Sequence, residues 1–160
     1  MRDQLSSEGN LLASILDRLI DDDPEVTHEP VQYRMLNIRQ VKASVIRDLE
    51  NLLNTRRHID PPPIEFAELN RSVLTYGIED FTALNSRSLA VQKFLRQDIE
   101  RTIARFEPRL RNVKLQLEPD KQGHGIRFKI NAMLVIEPEK EPVQFDTFFD
   151  PNRGEYVISR

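Results

Sequence analysis

Two carboxylates invite a search for acid–base chemistry: Glu100 and Glu107, seven residues apart on or just after one predicted helix. A glycosidase needs two carboxyl groups roughly 5–9 Å apart, one with a raised pKa. A pair sharing a helix face could meet the distance requirement. Ordinary surface charge accounts for the two residues equally well, because 26 acidic residues make chance pairs easy to find. The three histidines, His28, His58 and His124, fall in predicted loops, far apart and without metal-ligand spacing. The five glycines form neither a phosphate-cradling loop nor a nucleophile elbow. The sequence has no cysteine, which removes thiolate metal sites and disulfides and fits a reducing compartment. The residue pattern assigns no catalytic residue, metal ligand or cofactor.

One segment breaks a local rule. In Phe106-Glu107-Pro108-Arg109-Leu110, Pro108 disfavours helical geometry at the residue before it, so the helix should end near Phe106. Glu107 then sits at a helix C-terminus, where a carboxylate is unfavourable by about 0.3–1 kcal/mol. A misplaced charge without a local benefit often marks a functional position. Two readings stand side by side. Glu107 forms a local ion pair with Arg105, Arg109 or Arg111, or Glu107 and Arg109 reach a neighbouring molecule, the arginine fork suiting bidentate contact.

The elements that position this segment follow from periodicity. Residues 160 in number suit one domain with an appendage. Leu11, Leu12, Ile15, Leu16, Leu19 and Ile20 give a wide apolar stripe on a short helix that Asp21-Asp22-Asp23-Pro24 stops. The stripe must be covered, either by the chain's own core or by another subunit. The polar stretch 21–34, with two prolines, reads as a tether and favours the second, so residues 1–34 are expected to be a docking helix and linker, and 35–160 the α+β domain. A second helix is predicted over 38–56, with Ile38, Val41, Val45, Leu49 and Leu52 on one face. Lys42, Arg47, Asp48 and Glu50 are expected to point outward. Three prolines, Pro61 to Pro63, break it. A short helix is predicted near 66–76, with Leu69, Val73 and Tyr76 on one side and Gly77 as a left-handed cap. A third long helix spans 87–106 with Val91, Phe94, Leu95, Ile99, Ile103 and Phe106 as its buried stripe.

After residue 110 the period changes from 3.6 to 2. Val113, Leu115 and Leu117 alternate with polar residues, and Ile126 to Ile136 is the clearest strand, with Gln122-Gly123-His124-Gly125 as the turn between them. Strands over 143–149 and 155–159 follow, joined by a turn at 150–154. Helices first and an antiparallel sheet after them predict an α+β fold, with the N-terminal helices packed on one face of a sheet of three to four strands. The formal net charge is −3 with both signs interspersed, which gives no electrostatic reason to propose nucleic acid. No N-terminal segment reads as a signal peptide. No apolar run approaches the roughly 20 residues that cross a bilayer.

The sequence resembles the contractile-tail baseplate wedge family. Ile103 to Leu110 matches that family's Phe-Glu-Pro-Arg-Leu signature. Ser44-Val45-Ile46-Arg47-Asp48-Leu49-Glu50-Asn51-Leu52-Leu53-Asn54-Thr55-Arg56-Arg57 and Ser72-Val73-Leu74-Thr75-Tyr76-Gly77-Ile78-Glu79-Asp80 are similar to its type VI secretion (TssE) branch. So is the arm at 11–20, which phage relatives often lack. The chain departs at Ile78-Glu79, where the family more often has Leu-Pro. The resemblance implies a cytoplasmic structural subunit of a baseplate docked at the bacterial inner membrane. Its implied partners are TssF and TssG in the TssK-containing wedge and the base of the TssB/TssC sheath. Family members present a sheet edge that sheath strands extend. Carried onto this chain, Glu107, Pro108 and Arg109 would hold the helix-to-strand corner and its interface, and Leu11, Leu12, Ile15, Leu16 and Leu19 would dock the arm. The family is often labelled lysozyme-like, and the alternative it suggests is a peptidoglycan hydrolase using Glu107 or Glu100. No residue pattern supports that label.

Overall fold

The computed structural model describes residues 38–58, 60, 62–81, 88–118, 126–136, 139–150 and 153–159. The expected arm at 11–20, the tether at 21–34 and the turn at 122–125 lie outside them. Helix α1 spans Ile38–Asn54 and α2 Leu89–Phe106, and four strands follow: β1 Leu110–Glu118, β2 Ile126–Ile136, β3 Glu139–Asp150 and β4 Glu155–Ser159. The strands form one antiparallel meander in the order β1-β2-β3-β4. Helix α2 lies against β1 and α1 against β4. The fold is therefore the expected α+β arrangement, with four strands.

Apolar periodicity explains the core. Val41, Val45, Leu49, Leu52 and Leu53 of α1 are buried with Leu95, Ile99 and Ile103 of α2. They meet the inward face of the sheet at Leu110, Leu115, Phe128, Ile130, Leu134 and Phe145. Two expected members differ. Ile38 begins α1 and is exposed, and Phe94 is 45% exposed. Phe94 rests edge-on against Phe81, with ring centroids 5.7 Å apart, while Asp98 and Thr102 take buried places on α2.

The short helix predicted near 66–76 is two separate 3-10 turns, Leu69–Arg71 and Val73–Thr75. Ser72 divides them: its backbone is extended, and its Oγ accepts from Leu74 N–H at 3.3 Å. A serine competing locally for backbone donors is a known reason for a helix not to propagate. Leu69 and Val73 are consequently exposed, not packed. Gly77 has φ +97° and is left-handed as expected.

Strand β1 holds a feature that strict alternation conceals. Leu110 and Val113 are both buried although three residues apart. Asn112 adopts φ 55°, and the register slips between Arg111 and Lys114. This bulge inverts the inward phase, and asparagine is among the residues that tolerate such a φ.

Tyr156 of β4 is buried against Phe128 and Phe149. Burial pushes its hydroxyl pKa up to about 12; Arg56 lowers it, and Asp98 and Asp80 raise it. The folded state thus holds the tyrosine proton more tightly than the unfolded chain. Stability is unaffected below the unfolded value near 10 and is lost as pH rises from there to the folded value, about 2–3 kcal/mol in all. Urea unfolding at pH 9 and pH 12 should show this loss, and Tyr156→Phe should remove most of it.

Candidate functional site

The helix-to-sheet corner is built from backbone constraints upward. Glu107 N–H donates to Ile103 O at 2.8 Å and closes the last turn of α2. Pro108 prevents another turn, and Leu110 N–H returns to Glu107 O at 3.1 Å. Arg109 O then accepts from Val135 N–H at 2.8 Å, which starts the sheet beside β2. Three consecutive residues convert helix into strand, and Leu110, opposite Leu134, anchors the result in the core.

This path leaves the Glu107 carboxylate 4% exposed at a helix C-terminus. Arg109 neutralises it. Its Nε lies 2.7 Å from Oε1 and its Nη2 2.5 Å from Oε2, a bidentate fork, and Arg109 N–H adds a bond to Oε1 at 3.2 Å. The guanidinium reaches across to α1 as well, where Nη1 donates to Ser44 Oγ at 2.9 Å and Nη2 to Asp48 Oδ2 at 2.6 Å. One side chain thus ties α1, the end of α2 and the start of β1 together. Burial alone would lower the arginine pKa. Hydrogen bonding to Glu107 and its charge, followed by Asp48, more than offset that and hold it above the ordinary value. Tyr76, edge-on to Phe106 at 5.2 Å, has its pKa raised by burial, then by Asp48 and Glu107.

Of the three arginines considered as local partners for Glu107, the structure selects Arg109. Pro108 is exposed. Asp48 does not simply point outward: it completes the network, and Ser44 one turn before it was not anticipated. Their spacing of four on α1, flanking the apolar stripe, is the signal that could have found them. Glu100 is committed elsewhere, its Oε1 accepting from Leu115 N–H on β1 at 2.8 Å. His58 Nδ1 accepts from Asp60 N–H at 3.2 Å. Among the described residues no group of acidic or histidine side chains is placed to hold a metal ion. No helix of the described residues is long and apolar enough to cross a membrane.

A second polar clip closes the other side of α1. Ile78 N–H donates to Thr55 O at 3.0 Å and Arg57 N–H to Ile78 O at 2.8 Å. Buried Asp98 of α2 accepts from Arg57 Nη2 at 2.8 Å and from Glu79 N–H at 3.1 Å. Glu79 stands where the resembling sequences more often carry proline, a residue that could not donate this bond.

The sheet edges differ. The outer edge of β4 is occupied by side chains of α1: Tyr156 N–H donates to Asn54 Oδ1 at 2.7 Å and Ile158 N–H to Glu50 Oε1 at 3.0 Å. Glu50 and Lys42, expected to point outward, serve the sheet instead, Lys42 Nζ lying 2.6 Å from Glu141 Oε1. On β3, β4 pairs only with 146–150, while β2 pairs with 139–149. Beyond Asp146, β3 therefore has no strand on its β4 side among the described residues. Alternation places the main chain of Lys140, Pro142 and Gln144 on that side, because Tyr156 and Ile158 face away from β3 and fix the phase. Pro142, with no N–H, is tolerated for that reason.

Fold and site together define a small α+β protein whose polar groups are spent on holding a helix-to-strand corner. Residues 39–139 match the family described as "Baseplate wedge protein gp25". The chain belongs to this family of baseplate components. A chain of the structure described as "The baseplate complex from the type VI secretion system" is similar at 18% identity and a TM-score of 0.46, covering 69% of this chain and 94% of that one. No curated protein matches the sequence.

Proposed function

We propose that this chain is the wedge subunit of a type VI secretion baseplate that joins TssF and TssG to the base of the TssB/TssC sheath, and that its role is structural, not catalytic. Family membership and the type VI-like segments at 44–57 and 72–80 support the assignment. Glu107 and Arg109 act by fixing the corner between helix and sheet, with Pro108 ending the helix. The stripe of Leu11, Leu12, Ile15, Leu16 and Leu19 docks the arm on another subunit. The protein works at the cytoplasmic side of the membrane-docked assembly. The hydrolase alternative gains nothing from the geometry: Glu107 is saturated by Arg109, and Glu100 is bonded to the β1 backbone.

The observation that carries the strand-addition reading is the half-open edge of β3. A sheath strand aligned with β4 would find donors at Lys140 and Gln144 and carbonyls at Lys140, Pro142 and Gln144. Gln144→Pro removes one of those donors without touching the ladder to β2. It should weaken co-purification of TssB/TssC about tenfold, since one lost bond with a stranded carbonyl is worth about 1.4 kcal/mol. The unfolding midpoint should stay within about 2 °C, because the change exposes no core. Undiminished sheath binding by the folded variant would count against this edge.

A further inference from the structure

The segment between the proline run and Gly77 does something ordinary connecting loops do not. It is folded by its own polar groups while its apolar side chains stand in water. Asn70 is the hub: its Nδ2 donates to Pro63 O at 2.9 Å and Phe66 O at 3.0 Å, its N–H donates to Phe66 O, and its carbonyl accepts from Thr75 Oγ1 at 2.8 Å. Ser72 Oγ adds a bond to Leu69 O at 2.7 Å. These bonds gather residues 63, 66, 70 and 75 into one compact unit, anchored at its end by buried Thr75. From that unit Ile64 is 94% exposed, Val73 83%, Leu74 55% and Phe66 52%. Scattered apolar residues on a surface are ordinary, but several on one preordered unit mark an interaction site. Preordering also reduces the entropy lost on binding.

Charge says what kind of partner fits. Residues 60–75 carry exposed Asp60, Glu65 and Glu68 against a single Arg71, three acids and one base, net −2. The chain's own apolar stripe at 11–23 is acidic as well, with Asp17, Asp21, Asp22 and Asp23 against Arg18, net −3. Like charges disfavour that arm on this surface, and they disfavour a second copy meeting the first patch to patch. We infer that the 62–74 unit docks an amphipathic helix of a different protein, one with an apolar stripe flanked by lysine or arginine. This surface is built from residues other than those of the β3 edge and of the Glu107–Arg109 corner.

The test uses the full chain and two fluorescent amphipathic helices of about 18 residues, one leucine/lysine and one leucine/glutamate with the same apolar stripe. The basic helix should bind at least about tenfold more tightly than the acidic one. Ile64→Ser with Val73→Ser, both exposed and not expected to unfold the chain, should weaken it by about tenfold or more. Glu65→Lys with Glu68→Lys should reduce the preference for the basic helix by a similar factor. Equal binding of both helices, or affinity for the basic helix that survives the serine pair, would overturn the inference. So would stronger binding after Leu16→Asp with Leu19→Asp, which would show that the arm covers the unit. A concentration-dependent dimer abolished by Val73→Glu would overturn it too, by identifying a second copy as the occupant.

Discussion

Arg109→Ala is expected to lower the unfolding free energy by about 3–4 kcal/mol, near the lower end of the range for removing one partner of a buried ion pair. The cost is dominated by what is left behind. Glu107 would remain almost fully buried at a helix C-terminus, with the macrodipole opposing its charge and its two strongest donors gone. Asp48 would lose its 2.6 Å partner, but its side chain is 21% exposed and water can replace much of that bond. Arg109→Lys should recover only part of the loss, because an ammonium cannot serve Glu107, Ser44 and Asp48 with the geometry of the fork. Glu107→Gln, which keeps shape and acceptor oxygen, should cost less, about 1–2 kcal/mol. Urea titration at neutral pH measures all three. A loss under about 1 kcal/mol for Arg109→Ala would mean the network is a surface ornament and the corner is held by Pro108 and the backbone.

Gly77→Ala is the second large effect, at about 3 kcal/mol or more. At φ +97° any side chain is strained. A Cβ would also collide with the carbonyl oxygen of Thr55, a backbone atom that cannot rotate away. Relief requires moving the chain from Thr55, and that breaks the paired bonds between Thr55, Arg57 and Ile78 and disturbs the seat of Ile78, which is fully buried. Asp98 would then lose contact with the segment that carries Glu79 N–H. A midpoint fall of about 10 °C is the expected reading in a thermal melt, given the scaling for a protein of this size. Gly154→Ala is the internal comparison: its φ is +68°, but a Cβ there meets nothing within 4 Å, so the fall should be smaller.

What could be read from the sequence is what periodicity governs. Both long helices, all four strands and the inward set on β2 follow from apolar spacing alone. The misplaced polar residues share one cause, a side chain whose role depends on a distant element. Lys42, Asp48 and Glu50 lie on polar positions of α1, and helical phase sends them to solvent. Their long or forked heads turn back to Glu141, Arg109 and Ile158, residues far away in the chain. Phe94 looked like core because aromatic spacing matched the stripe, but α2 gives that place to Asp98, which bonds Arg57 and Glu79. The bulge at Asn112 had a legible sign, the three-residue step from Leu110 to Val113, which alternation cannot accommodate. The broken helix at 69–75 turned on Ser72, whose local bonds outweigh a weak helical preference.

The same logic separates what the corner does from where it binds. A helix-end glutamate beside Pro-Arg suggested a functional position, and the geometry shows its charge met within the chain. The binding surface we propose lies instead along β3, where main-chain groups lack a strand on the β4 side among the described residues. The direct measurement is amide hydrogen exchange at Lys140 and Gln144, in the free protein and with assembled TssB/TssC sheath. The account predicts at least about tenfold slower exchange at both amides when sheath is present, as new main-chain hydrogen bonds form. Unchanged exchange there, with protection appearing instead along the outer edge of β1 at Leu117, would contradict it.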